Sequence, residues 1–202
     1  MGILNWVIGG STRRTRRFSL AGRWLPAGAV VTGLVLLGGV VPANAQTLTW
    51  SVVHSPNRRA GGNFLDAVSC VSANMCMATG HRLNSIGALV TLAESWNGTR
   101  WSVVRTPSLA GTGSDLNGVS CVSADACTAV GAVSPNGTAL STVIESWNGT
   151  RWSVVPTPNP GVTAHALNGV SCPSPGACMA AGYFFSHHPS YRTLTLVGTA
   201  AG

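Results

Sequence analysis

Six cysteines fall as three C-x(5)-C pairs, Cys70/Cys76, Cys121/Cys127 and Cys172/Cys178. Closely spaced cysteines either ligate metal or form disulfides. A structural zinc site takes ligands two to four residues apart and needs a second close pair, so a gap of five counts against it. No metal site and no cofactor are expected. Six cysteines permit fifteen pairings, but one spacing recurring three times makes the local pairing the expected one, with buried free thiols as the alternative. Acid–base chemistry needs paired carboxylates, and only five acids are present: Asp66, Glu94, Asp115, Asp125 and Glu145. Glu94 and Glu145 occupy one repeated position, Asp66 aligns with Asn117 and Asn168, and Asp125 aligns with Asn74 and Gly176 inside the cysteine loop. Only Asp115 is private to its copy. That distribution points to scaffold roles and to no catalytic residue.

The repeat behind those alignments has a period of 51 residues. Trp50, Trp101 and Trp152 each begin the tetrapeptide W-S-V-V, and both cysteine columns follow the same step. Glu94 to Trp101 and Glu145 to Trp152 read identically, E-S-W-N-G-T-R-W. Each unit (about 50–100, 101–151 and 152–202) reads as four short strands, a to d. Strand a is Leu65 to Cys70, Leu116 to Cys121 and Leu167 to Cys172. Strand b, Cys127 to Gly131 and its equivalents, is expected to end at the glycine. Strand c runs from Ala139 to Trp147, rich in β-branched residues. Strand d is Arg151 to Val155 and precedes a proline-containing connection. Between c and d lie Asn97-Gly98 and Asn148-Gly149, a hairpin signal for a type I′ turn with two positive φ angles. A loop of two or of four residues equally brings Trp96 and Trp101 onto one face for cross-strand packing. No window beyond the N-terminal region has helical periodicity, so the chain is all-β.

Four strands per unit of about 40–50 residues is the pattern of a β-propeller blade. Residues 46–202 open on a lone strand d, Thr47 to Val53, and close on a strand c around Thr193 to Val197, so the surplus and missing pieces match. Three blades are fewer than the usual four to eight. An open partial propeller, two chains in a six-bladed ring, or a truncated product would each accommodate that number.

The pattern L-N-G-V-S-C-x(5)-C-x-A-x-G followed by E-S-W-N-G-T-R-W resembles repeats of secreted actinobacterial proteins. More distantly it is similar to sialidase-type Asp-box propellers and to photosystem II assembly-factor propellers. Ser95 to Trp101 departs from the Asp-box by one residue in length and by Asn97 in place of aspartate. The resemblance implies a propeller fold. Because the Asp-box is a structural turn, it implies no sialidase chemistry, which would also need an arginine cluster and a tyrosine nucleophile.

The copies diverge most in the d–a connections (Pro56 to Asn63, Pro107 to Ser114, Pro158 to Ala166) and the b–c connections (His81 to Gly87, Ala132 to Gly137, Tyr183 to Tyr191). In propellers both sets emerge on one face. They carry Arg58, Arg59, His81, Arg82, Tyr183, His187, His188 and Tyr191, the candidate ligand-binding residues, since function concentrates in loops on rigid scaffolds. Adjacent His187 and His188 point apart on extended backbone, so a metal pair is not expected there.

The formal charge of +7 belongs mostly to an address. Arg13, Arg14, Arg16, Arg17 and Arg23 precede an uncharged stretch from Pro26 to Val41 and then Ala43-Asn44-Ala45, the layout of a secretory signal peptide cleaved after Ala45. The stretch is short for a spanning helix of about 20 residues. Residues 46–202 keep seven arginines against five acids and no lysine. That near-neutral balance, without a P-loop or nucleic-acid fingerprint, excludes nucleic acid as the expected partner. The expectation is a secreted, non-catalytic binding module for an extracellular ligand, glycan or protein, with a homodimer as one way to close the ring. An extracellular glycan-active hydrolase with a site formed between chains is the alternative.

Overall fold

The computed structural model describes residues 48–57, 61–107, 109, 113–137, 139–159, 163–186 and 190–199; the arginine-rich leader lies outside them. Among the described residues there are eleven β-strands and no helix: β1 (Asn63–Ser72), β2 (Met75–Leu83), β3 (Leu89–Trp96), β4 (Trp101–Val104), β5 (Gly113–Ser123), β6 (Ala126–Ser134), β7 (Ser141–Trp147), β8 (Trp152–Val155), β9 (Thr163–Ser174), β10 (Ala177–Phe185) and β11 (Tyr191–Thr199). They form three antiparallel meanders, β1 to β4, β5 to β8 and β9 to β11. Each repeat is thus one open sheet. The third has three strands where the repeat predicts four. Residues 48–57, expected to include a lone strand d, are in no strand, and Ser55 instead donates a hydrogen bond to Glu94 of the first sheet (2.6 Å).

The three cysteine pairs are all bridged, with Cα–Cα distances of 4.0, 4.0 and 4.1 Å. In the first two sheets each pair sits directly opposite across the a–b ladder, Cys70 facing Cys76 and Cys121 facing Cys127. The bridge closes a two-residue turn, which an indole from the third strand also caps. Trp96 Nε1 donates to the Ala73 carbonyl (3.1 Å) and Trp147 Nε1 to the Ala124 carbonyl (3.0 Å). Such disulfides fit an oxidising, extracellular environment. No helix among the described residues is long and apolar enough to cross a membrane.

Strand b does not end at its glycine. It continues to Leu83, Ser134 and Phe185, because the glycine answers a bulge in strand a. The ladder skips Asp66, Asn117 and Asn168, and the extra residue pushes the preceding carbonyl toward strand b. A Cβ at Gly80, Gly131 or Gly182 would lie 2.1, 2.0 and 2.0 Å from the carbonyl oxygens of Phe64, Asp115 and Ala166. Only glycine fits there.

The c–d hairpin has a four-residue loop, with Trp96 opposite Trp101 and Trp147 opposite Trp152. Their rings pack at 5.6 and 5.7 Å, as cross-strand pairs should. The type I′ expectation fails: Gly98 (φ +91°) and Gly149 (φ +89°) are left-handed, whereas Asn97 and Asn148 are not. The asparagine works through its side chain. Asn97 Oδ1 accepts from Thr99 N–H (3.1 Å), Thr99 Oγ1 (2.9 Å) and Arg100 N–H (3.0 Å), and Asn148 repeats the arrangement. An Asx-type turn replaces the backbone turn.

The sheets pack in chain order, β1 against β5 and β5 against β9. One face of the first sheet, through Met77 and Ala93, meets Leu116, Val119, Cys127, Ala129, Val143 and Trp152 of the second. The second presents Val130 and Ile144 to Leu167, Val170, Ala180 and Leu194 of the third. Each fully buried leucine contributes about 1.5–3 kcal/mol. Polar contacts repeat with the packing: Cys121 N–H donates to Ser69 Oγ (2.9 Å) and Cys172 N–H to Ser120 Oγ (3.0 Å). Asn117 Nδ2 donates to the Leu167 carbonyl (3.1 Å), so the bulge residue of one sheet is tied to the next.

Candidate binding face

The described ends of the d–a and b–c connections meet at one end of each sheet, Asn63 pairing with Arg82, Gly113 with Ser134 and Thr163 with Phe185. Leu83 N–H donates to the Gly62 carbonyl (2.9 Å), and His165 N–H to that of Leu140 (3.0 Å). The first b–c turn is held by Asn84, whose Oδ1 accepts from the Ile86 (3.0 Å) and Ala88 (2.9 Å) amides.

Of the eight candidate residues, Arg58, Arg59, His187 and His188 lie outside the described residues. The other four form two groups. On the first sheet, His81 Nδ1 sits 3.0 Å from Asp66 Oδ2, and its ring stacks on Phe64 at 4.9 Å. Asp66 reaches it because the bulge turns that residue out of the ladder. On the second sheet, Asp115 Oδ1 accepts the Ala132 N–H (2.9 Å). Burial raises its pKa, opposed by that hydrogen bond and by nearby His81. On the third sheet, Tyr191 meets Tyr183 and Phe185 edge-on, both at 5.3 Å, and Tyr191 is exposed. No hydrogen bond or ring contact among the described residues joins the first-sheet and third-sheet groups.

Arg82, the remaining candidate, opens on a cleft of about 310 Å³ between the first two sheets. Arg105, Thr91, Thr106, Leu109 and Ser114 also line it, and no carboxylate does. Thr91 Oγ1 donates to Thr106 Oγ1 (2.8 Å), which leaves this wall polar and braced. Sequence reasoning passed over Arg105, which follows W-S-V-V directly. The available signal was its column, in which the three copies carry His54, Arg105 and Pro156. Two arginines facing one uncharged cleft can hold an anionic group, since a guanidinium presents paired N–H donors to a carboxylate or sulfate.

The repeated glutamates are remote from such chemistry. Glu94 is buried with Ser55 as its donor; burial raises its pKa, an effect countered by that hydrogen bond and by His54. Glu145 is fully buried, neither carboxylate oxygen has a hydrogen-bond partner, and burial alone pushes its pKa up to about 8. Among the described residues no group of three or more His, Cys, Asp or Glu is placed to hold a metal ion. No protein-family model matches the chain, and no curated protein has detectable sequence similarity to it.

Proposed function

We propose that the chain is exported by its first 45 residues and acts outside the cell as a non-catalytic binding module of propeller-type blades. In this reading the cleft between the first two sheets takes an anionic group of an extracellular ligand. The observation that carries it is the pair Arg82 and Arg105 lining one cleft of about 310 Å³ without a carboxylate. Three sequential antiparallel meanders packed in chain order support the propeller arrangement, and three local disulfides support export. The acids support a binding role over hydrolysis. Glu94 and Glu145 are buried, Asp66 is engaged by His81, Asp115 by the Ala132 amide and Asp125 by Ser123, which leaves no exposed, unengaged carboxylate pair.

The test is binding of the secreted chain to an array of acidic and neutral glycans, with acidic peptides as a second panel. Acidic glycans are expected to bind in a salt-sensitive way. R82A and R105A should each weaken binding about tenfold or more, the order expected for one charge-assisted hydrogen bond. Undiminished binding by the double variant, or selection of neutral glycans only, would overturn the proposal.

A further inference from the structure

Each seam between sheets has two halves. The forward half is a sheet face, bearing Met77 and Ala93 in the first sheet and Val130 and Ile144 in the second. The receiving half is the first strand of the following sheet, through Leu116 and Val119 on β5 or Leu167 and Val170 on β9. One step along the 51-residue repeat, the forward face of the third sheet is Met179, Ala181, Thr193, Thr195 and Val197, all exposed. The receiving residues of β1 are Leu65 and Val68, 41% and 61% exposed, where their counterparts Leu116 and Val119 are 0% and 8%. The polar half recurs as well. Ser171 stands where Ser69 and Ser120 accept an amide of the following sheet, and Asn168 stands where Asn117 donates.

Among the described residues the third sheet also has no counterpart of the strand that β4 and β8 supply to the others. Beside β11 a cavity of about 630 Å³ opens, lined by Ile144, Val155, Val170, Leu196 and Gly198. In the first seam, Trp152 of the fourth strand is buried in the core. The unused copy of that strand is Trp50–Val53, with Trp50 91% exposed. The register that sets Trp96 opposite Trp101 and Trp147 opposite Trp152 would set Trp50 opposite Gly198, where the missing side chain leaves room for an indole. Ser55 ties this segment to Glu94 of the first sheet, whereas the open edge belongs to the third.

We infer that the two open halves are occupied by a second copy of this chain. Trp50–Val53 of one copy adds to β11 of the other as its fourth strand, and β1 of the first seats on the exposed face of the other's third sheet. This is strand addition combined with continuation of the internal seam. A head-to-tail pair with two-fold symmetry satisfies both ends of both copies and closes a ring of six sheets, within the size range of closed propellers.

The experiment is light scattering and sedimentation on the chain as secreted, with its disulfides intact. The expected mass is twice that of the single chain. W50A should weaken the dimer at least about 30-fold, as a buried interface tryptophan does, and V68E and M179K should each give monomers. Because Met77 and Val119 share one core cluster, Met179 of one copy would face Val68 of the other. Mixing V68E with M179K should therefore restore the dimer. Trp50, Val68 and Met179 are exposed in the single chain, so unchanged near-ultraviolet circular dichroism and three retained disulfides should accompany the monomers. A monomeric parent chain at about 100 μM, an open series of larger oligomers, or a W50A dimer of unchanged affinity would overturn the inference.

Discussion

Glu145→Gln separates two consequences of burying a carboxyl group without a partner. In the folded chain Glu145 has no exposed surface and no hydrogen-bond partner on either oxygen, and burial raises its pKa from 4.5 to about 8. Between those values the folded state holds a proton that the unfolded state releases. Stability from this group is therefore fully present below pH 4.5 and is lost as pH rises through 8. The slope is about 1.4 kcal/mol per pH unit and the whole change about 5 kcal/mol. Against a typical total of about 5–15 kcal/mol, that is a large fraction. Urea denaturation of the oxidised protein at pH 5, 7 and 9 measures it. The wild type should lose several kcal/mol across that range. Glutamine keeps the shape and never ionises, so its variant should lose about 4 kcal/mol less over the same range and be the more stable protein at pH 9. Taking the difference between variants cancels the histidines, which titrate in both. Parallel curves, within about 1 kcal/mol from pH 5 to 9, would refute burial of a neutral Glu145.

Three further outcomes follow from the repeat's internal geometry. Gly131→Ala should destabilise by about 3 kcal/mol, because its Cβ would lie 2.0 Å from the Asp115 carbonyl oxygen. Gly169→Ala, where a Cβ meets nothing within 4 Å, should stay within about 0.5 kcal/mol by the same denaturation assay. Replacing Cys121 and Cys127 together with serine opens a ring of sequence separation 6 and should cost about 2 kcal/mol, measured as a shift in urea midpoint with the other two bridges intact.

Much of the fold was legible because its signals are local. The cysteine spacing set two residues opposite each other across one tight turn, and the tryptophans flanking N-G-T-R met across a hairpin whose length both readings allowed. Where local reading failed, a second strand was responsible. Gly80, Gly131 and Gly182 looked like strand ends, yet they sit mid-strand because a bulge on the neighbouring strand drives a carbonyl into the space a Cβ would take. The hairpin asparagines looked like left-handed residues, yet they act through side-chain hydrogen bonds that φ preferences do not encode.

The candidate face divides in the same way. Divergent loops identified His81, Arg82, Tyr183 and Tyr191 as residues at one end of the sheets. Their separation into a first-sheet and a third-sheet group depends on how the sheets stack. Arg82 on β2 and Arg105 just past β4, 23 positions apart, come to one cleft through the meander of the first sheet. The sequence by itself determined the repeat, the meander and the disulfide pairing, since each rests on contacts within one 51-residue unit. Tertiary structure alone decided which buried glutamate has a hydrogen-bond donor, which bulge residue binds the next sheet and which faces stay open. A face is covered only by the neighbouring unit, and no pattern within one unit specifies what that neighbour presents.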